Sequence, residues 1–97
     1  MSDIAVIVVS WNACEDLWTC LRSLMVPPAP NNGGTGVSSE VWVVDNASGD
    51  GSLAMVRRDY PAVRVIANEA NLGFSRANNQ AIRASESRYV LLLNSDA

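Results

Sequence analysis

The chain has no histidine and no lysine, and that absence removes several chemistries at once. Without imidazole there is no Ser-His-Asp triad, no His-paired thiol and no imidazole metal ligand. The two cysteines, Cys14 and Cys20, are spaced neither as a CxxC redox pair nor as a zinc motif. On a helix they point to different sides and read as buried free thiols. All seven cations are arginine and the net charge is −3, which excludes nucleic acid as a partner because phosphate backbones select Lys and Arg clusters. Long apolar runs are missing too. The longest, Ile4–Val9, is far short of the roughly 18 residues a membrane helix requires, so no transmembrane segment is expected. No basic stretch precedes an apolar one in the manner of a signal peptide, and the expected location is the cytoplasm. Two phosphate-binding signatures are also absent. There is no GxxxxGK[ST], and Ser10-Trp11-Asn12-Ala13 occupies the turn where a GxGxxG would open a helix.

What the chain does contain is enough for one small globular domain: 97 residues, 48% hydrophobic and 18% charged. Three apolar runs each end in a polar tail. Ile4–Val9 runs into Ser10-Trp11-Asn12, Val41–Val44 into Asp45-Asn46-Ala47-Ser48, and Val90–Leu93 into Asn94-Ser95-Asp96-Ala97. Runs this rich in Val, Ile and Leu read as strands buried on both faces of a parallel sheet. Polar residues at the carboxyl ends of such strands sit where open α/β sheets bind ligands.

Helix signals alternate with the strands. Asn12 followed by Glu15 has capping-box spacing, and Leu17, Leu21 and Leu24 make one apolar stripe down a helix of about 13–25. Pro27-Pro28 ends it. Residues 27–39 (PPAPNNGGTGVSS) form a long loop by composition, read as a flexible insertion. A second strand at about 40–45 leads into Asn46–Ser52, where Asp50 or Ser48 can cap the next helix. Leu53, Val56 and Tyr60 are its stripe and Pro61 its stop. Val63–Ile66 is a short strand, and Asn71-Leu72-Gly73-Phe74 a turn with Gly73 free to take positive φ. A helix at about 75–86 faces Ala77, Ala81 and Ile82 inward, with Arg76, Gln80 and Arg83 more outward, and a strand at about 88–94 follows. The order β-α-β-α-β-α-β, with right-handed crossovers, gives an α/β, Rossmann-like parallel sheet with helices on both faces.

The terminal Asn94-Ser95-Asp96 offers a carboxylate at a strand end, a hard oxygen ligand suited to Mg²⁺ or Mn²⁺. With no Lys or His, a divalent cation is the natural neutraliser of a bound diphosphate. The bland alternative makes Asp96 a solvated terminal residue.

Four blocks, in order and at matching spacing, resemble the family 2 (GT-A fold) glycosyltransferases. They are Val6-Ile7-Val8-Val9-Ser10-Trp11-Asn12, the stretch Val43–Ser52 (VVDNASGDGS), Asn71–Asn79 (NLGFSRANN), and Leu91-Leu92-Leu93-Asn94-Ser95-Asp96-Ala97. The NLGF-to-ANN form is most similar to the rhamnosyltransferase-like branch that builds bacterial surface polysaccharides. The resemblance implies a truncated GT-A nucleotide-diphospho-sugar transferase fold. Ser10, Trp11 and Asn12 then line the nucleobase and ribose pocket, and Asp45, followed by Asn46, accepts the imino N–H of uracil or thymine. An Asx-type turn cap is the competing role for Asp45. Trp11 stacks on the base or plugs the strand end. Gly73, Asn78 and Asn79 lie near the diphosphate or sugar, with a helix-surface role open for the two asparagines. Arg76 reaches a phosphate or is solvated. Asn94-Ser95-Asp96 stands at the family's DxD position, with Asn for the first Asp and Asp96 as metal ligand.

The catalytic base and the acceptor half of such enzymes follow the metal motif, so no residue of this chain is assigned as the base. The expectation is that residues 1–97 are the nucleotide-sugar-binding half of a glycosyltransferase, inactive alone, with a UDP- or dTDP-linked sugar as ligand. A divalent cation is its cofactor, and the whole enzyme performs inverting transfer to a saccharide or lipid-linked acceptor. The alternative is a non-catalytic nucleotide-sugar-binding or assembly module. A bare last strand also predicts self-association through the truncated sheet. A flavodoxin- or response-regulator-type domain fits the strand order, but it lacks its acidic cluster, since Ser-Trp-Asn stands at the first strand end.

Overall fold

The computed structural model describes residues 3–25 and 39–94. The loop predicted at 27–39 falls outside them, apart from Ser39, as do Ser95, Asp96 and Ala97. Seven elements follow in strict alternation: β1 (Ile4–Ser10), α1 (Cys14–Met25), β2 (Ser39–Asn46), α2 (Ser52–Asp59), β3 (Arg64–Asn68), α3 (Phe74–Ala84) and β4 (Tyr89–Asn94). The four strands form one parallel sheet in the order β3-β2-β1-β4. The chain therefore builds outward from β1 through β2 to β3, then returns to place β4 on the other side of β1. That reversal makes the β1–β4 boundary the topological switch point, where crossovers leave a crevice at the carboxyl ends.

Strand alternation divides the core in two. Val6, Val8, Val41 and Val43 face α1 and α2, packing with Leu17, Leu21, Met55 and Val56. Ala5, Ile7, Val9, Trp42 and Val44 face α3, where Ala77 and Ala81 let the helix lie close to the sheet. The helices thus cover both faces, as the alternating pattern predicts. The expected α1 stripe is present: Leu17 and Leu21 are fully buried, and Leu24 packs against the same cluster. In α2 the buried stripe is Ser52, Met55 and Val56. Cys14 and Cys20 are free, and half-buried rather than buried.

Three expectations are corrected. β4 is not buried on both faces: Tyr89, Val90, Leu91 and Leu92 are all exposed, Tyr89 at 65%. The reason is position. β4 is an edge strand, and α3 lies over β1 and β2 rather than over it. For the same reason Ile82, expected to face inward, is 37% exposed on the rim of α3. Finally, Asn12 does not form a capping box with Glu15. Its backbone takes φ +48° and its side chain is turned to another loop, so the first amide of α1 is satisfied by Asp50.

Candidate functional site

The carboxyl ends of the strands meet an open cleft of about 450 Å³, a size that suits a small-molecule ligand. From β1 and the turn after it come Val9, Trp11 and Ala13; from α1, Asp16; from β2, Asn46. The turn before α3 contributes Asn71 and Gly73, the first residue of α3 is Phe74, and β4 contributes Asn94 across the switch point. Register explains the grouping. Val9 pairs with Asn94, so both point to the α3 side, and Asn46 shares that face with Val44.

Asn46 organises the α3 side. Its Oδ1 accepts hydrogen bonds from Asn68 Nδ2 at 2.9 Å and from the Leu72 amide at 3.4 Å, and its Nδ2 donates to the Gly73 carbonyl at 3.3 Å. Asn68 and Gln80 exchange two further amide bonds, of 2.8 and 2.9 Å. β2, β3 and α3 are thereby tied to the turn that carries Gly73. That turn requires glycine, since Gly73 sits at φ +82°, ψ 170°, a region closed to residues with a Cβ.

Among the described residues, three buried polar side chains have atoms with no partner: Ser10 Oγ, Asp45 Oδ1, and both ends of the Asn78 amide. Such groups cost about 1–3 kcal/mol each when left unmatched. Ser10 and Asp45 are register partners on adjacent strands, so two of the unmatched oxygens lie side by side. They face α1 and α2, following Val8 and Val43. Asp45 is 3% exposed and its Oδ2 accepts the Ser48 amide at 3.2 Å. The turn-cap role is therefore filled by one carboxylate oxygen while the other stays unmatched.

The remaining residues singled out by sequence separate. Trp11, Asn46, Gly73 and Asn94 line the cleft. Trp11 is 56% exposed, so it does not plug the strand end. Asn12 lines a neighbouring recess with Glu15, Asp16 and Asp50. Asn78 is buried rather than on the helix surface, while Asn79 and Arg76 are exposed. Asp96 lies outside the described residues. Among the described residues no three His, Cys, Asp or Glu side chains gather as a metal-binding group. Among the described residues the one carboxylate lining the cleft is Asp16, so the described donors do not by themselves make a cation site. Also among the described residues, no helix is long and apolar enough to cross a membrane.

Sequence reasoning missed Asp16, Asn71 and Phe74 at the cleft, and the Asn68–Gln80 pair behind it. The acidic first turn of α1 was the available signal for Asp16; nothing in the spacing of Asn68 and Gln80 announces their pairing.

Comparison with known proteins bears on the same surface. The model of the glycosyl transferase family 2 matches residues 5–97. The chain is 29% identical over 96 residues to the uncharacterized glycosyltransferase YibD of Escherichia coli (strain K12), covering 96% of this chain and 26% of that protein. It is 32% identical over 95 residues to the succinoglycan biosynthesis protein ExoO of Rhizobium meliloti (strain 1021), covering 97% and 25%. Among solved structures, the mannosyltransferase PcManGT from Pyrobaculum calidifontis, in complex with GDP-Man and Mn²⁺, superposes with a TM-score of 0.82 at 28% identity, over 99% of this chain and 28% of that one. S. aureus TarS (1-349) superposes with a TM-score of 0.78 at 29% identity, over 97% and 27%. The chain thus spans about a quarter of the length of the proteins it matches. A family model matching nearly every residue, on a four-stranded parallel sheet of the GT-A kind, places the chain in the glycosyl transferase family 2.

Proposed function

We propose that this chain is the donor-binding part of an inverting glycosyltransferase, holding a nucleoside-diphosphate sugar at the carboxyl ends of β1, β2 and β4. The acceptor half and the general base then belong to other parts of the enzyme. The observation that carries the reading is the open cleft at the switch point, lined by Trp11, Asn46, Gly73 and Asn94. A similar protein, PcManGT, was solved with GDP-Man and Mn²⁺, which supports a nucleotide sugar as the ligand class.

In this reading Trp11 stacks on the base, and Ser10 and Asn12 complete the base and ribose pocket. Asp45 Oδ1, buried and unmatched, takes the base N–H once its covering shifts aside. Gly73, Asn78 and Asn79 serve the diphosphate or sugar. A divalent cation, Mg²⁺ or Mn²⁺, supplies counter-charge to the diphosphate leaving group, with Asp96 as its ligand. The donor is a UDP- or dTDP-linked sugar of the rhamnosyltransferase-like branch, on the strength of the NLGF-to-ANN block; ExoO, a succinoglycan biosynthesis protein, supports a role in bacterial polysaccharide assembly.

The test is thermal unfolding with UDP, dTDP, GDP and ADP, each with and without Mn²⁺. Ligand at 100 times its dissociation constant stabilises by about 2.7 kcal/mol, on the order of 10 °C for a domain this small. A Mn²⁺-dependent shift confined to the pyrimidine nucleotides is the expected result. A shift confined to GDP overturns the donor assignment. No shift with any nucleotide refutes the donor site itself.

A further inference from the structure

The turn between β1 and α1 forms one wall of the cleft, yet little within the turn holds it in place. Trp11 is largely exposed, Asn12 occupies left-handed backbone space, and Ala13 precedes the first residue of α1 without a side chain able to cap it. Its supports come from residues 36 or 37 positions away. The Asn12 amide donates to Ser48 Oγ at 2.9 Å, and Asn12 Oδ1 accepts the Gly49 amide at 2.7 Å. The Cys14 amide donates to Asp50 Oδ2 at 3.0 Å. Asp50 is itself held, because its Oδ1 accepts from both the amide and the hydroxyl of Ser52. Ser48 joins the same chain to the β2 end, donating its amide to Asp45 Oδ2.

We propose that Ser48 and Asp50 are positioning residues for the donor cleft, clamping the Trp11–Cys14 turn so that the Trp11 ring stays presented to it. This rests on the donor-site reading above. Neither residue lines the cleft, so the effect passes through the turn. The bonds involving Asn12 and Cys14 are solvent-exposed, and of the four turn residues Cys14 alone packs against a core cluster. Loosening the clamp therefore frees the wall while leaving the fully buried core residues in place. An isolated asparagine tolerates positive φ better than most residues, and two bonds on Asn12 select that state here. Ser48 also links the two parts of the site, since one side chain holds the Trp11 turn while its backbone fixes the Asp45 carboxylate.

The experiment uses protein labelled with 5-fluorotryptophan, with the Trp11 resonance assigned by its loss in Trp11→Phe. Its ¹⁹F signal is followed without ligand in wild type, Asp50→Ala, Ser48→Ala and Asp50→Asn, and UDP affinity is measured on the same samples. The expected result is a shifted or broadened Trp11 signal in both alanine variants, with UDP binding about tenfold weaker, the scale of a lost cap. Asparagine has one acceptor oxygen where aspartate has two. With that oxygen on the Cys14 amide its NH₂ turns to Ser52, whose hydroxyl can accept while the Ser52 amide bond is lost, so Asp50→Asn restores the signal and the affinity in part. An unmoved Trp11 signal in Asp50→Ala overturns the proposal, as does an Asp50→Asn protein that behaves like the alanine variant. Absence of UDP binding in wild type defeats the donor-site reading instead, and the ligand-free spectra still decide the clamp.

Discussion

Replacing Asp45 by asparagine separates a functional carboxylate from a structural one. Asp45 Oδ2 accepts the Ser48 amide, whereas Oδ1 is buried with no partner among the described residues. Asparagine has nearly the same shape, so the site neither opens a cavity nor becomes overpacked. The amide oxygen must take the place of Oδ2, because the reverse orientation turns an NH₂ toward the Ser48 N–H. That choice puts an NH₂ where Oδ1 was. A base presenting an imino N–H, as uracil and thymine do, then meets a donor instead of an acceptor. A hydrogen bond to a charged group contributes about 1.5–3 kcal/mol, which corresponds to roughly 10- to 100-fold in affinity. Cytosine presents an acceptor nitrogen at the same ring position, so CDP binding is expected to strengthen while UDP binding weakens. Titration calorimetry of UDP and CDP against wild type and Asp45→Asn, at fixed Mn²⁺, reads both constants. The melting temperature is expected to stay close to that of wild type, because the Ser48 cap is kept. Equal losses for the two nucleotides, or no loss for either, refute the assignment of Oδ1 to the base.

Two other outcomes follow from the geometry. Gly73→Ala forces a Cβ onto φ +82°, ψ 170°, although that Cβ meets no atom within 4 Å. The penalty is backbone strain alone, about 1–3 kcal/mol, and a melting temperature unchanged in differential scanning calorimetry refutes it. Hydrogen bonds, that from the Ser52 hydroxyl foremost, hold the Asp50 carboxyl below its usual range despite its exposure. A depressed folded value gives stability that is present above the unfolded value, about 3.9, and lost as pH falls through the folded one. The melting-temperature difference between wild type and Asp50→Asn is expected to be constant above about pH 5 and to move against wild type in more acid solution; a difference independent of pH refutes the linkage.

Much of the architecture is legible because it rests on local periodicity. Ile4–Val9 and Val41–Val44 are continuous apolar runs rich in β-branched residues, and both became central strands packed on two faces. Tyr89–Leu93 is as apolar, yet it is an edge strand with four exposed apolar side chains in succession. Composition records what a strand can bury against, whereas sheet order decides what it does bury against. Ile82 failed for the same reason. The start of α1 failed for another: Asn12 and Glu15 satisfy a local capping pattern, but the acceptor that reaches the first amide is Asp50, brought there by the pairing of β1 with β2. Short-range signals cannot rank a partner that only the fold supplies.

The site shows the same division more sharply. Read as a string, Ser10-Trp11-Asn12, Asp45-Asn46 and Asn94 form three polar tails that invite assignment to one pocket. Strand alternation splits them. Val9, Asn46 and Asn94 face α3 with the open cleft, while Ser10 and Asp45 face α1 and α2 with unmatched oxygens. A single nucleotide uses both sides only if something at the strand ends passes from one to the other. Trp11 is the residue in that position, following buried Ser10 in the chain and bordering the cleft with its exposed ring. Its turn is bound to Ser48, which also caps Asp45. One serine thus touches both that turn and the buried carboxylate, so if a ligand at Asp45 displaces Ser48, the Trp11 wall is expected to respond with it.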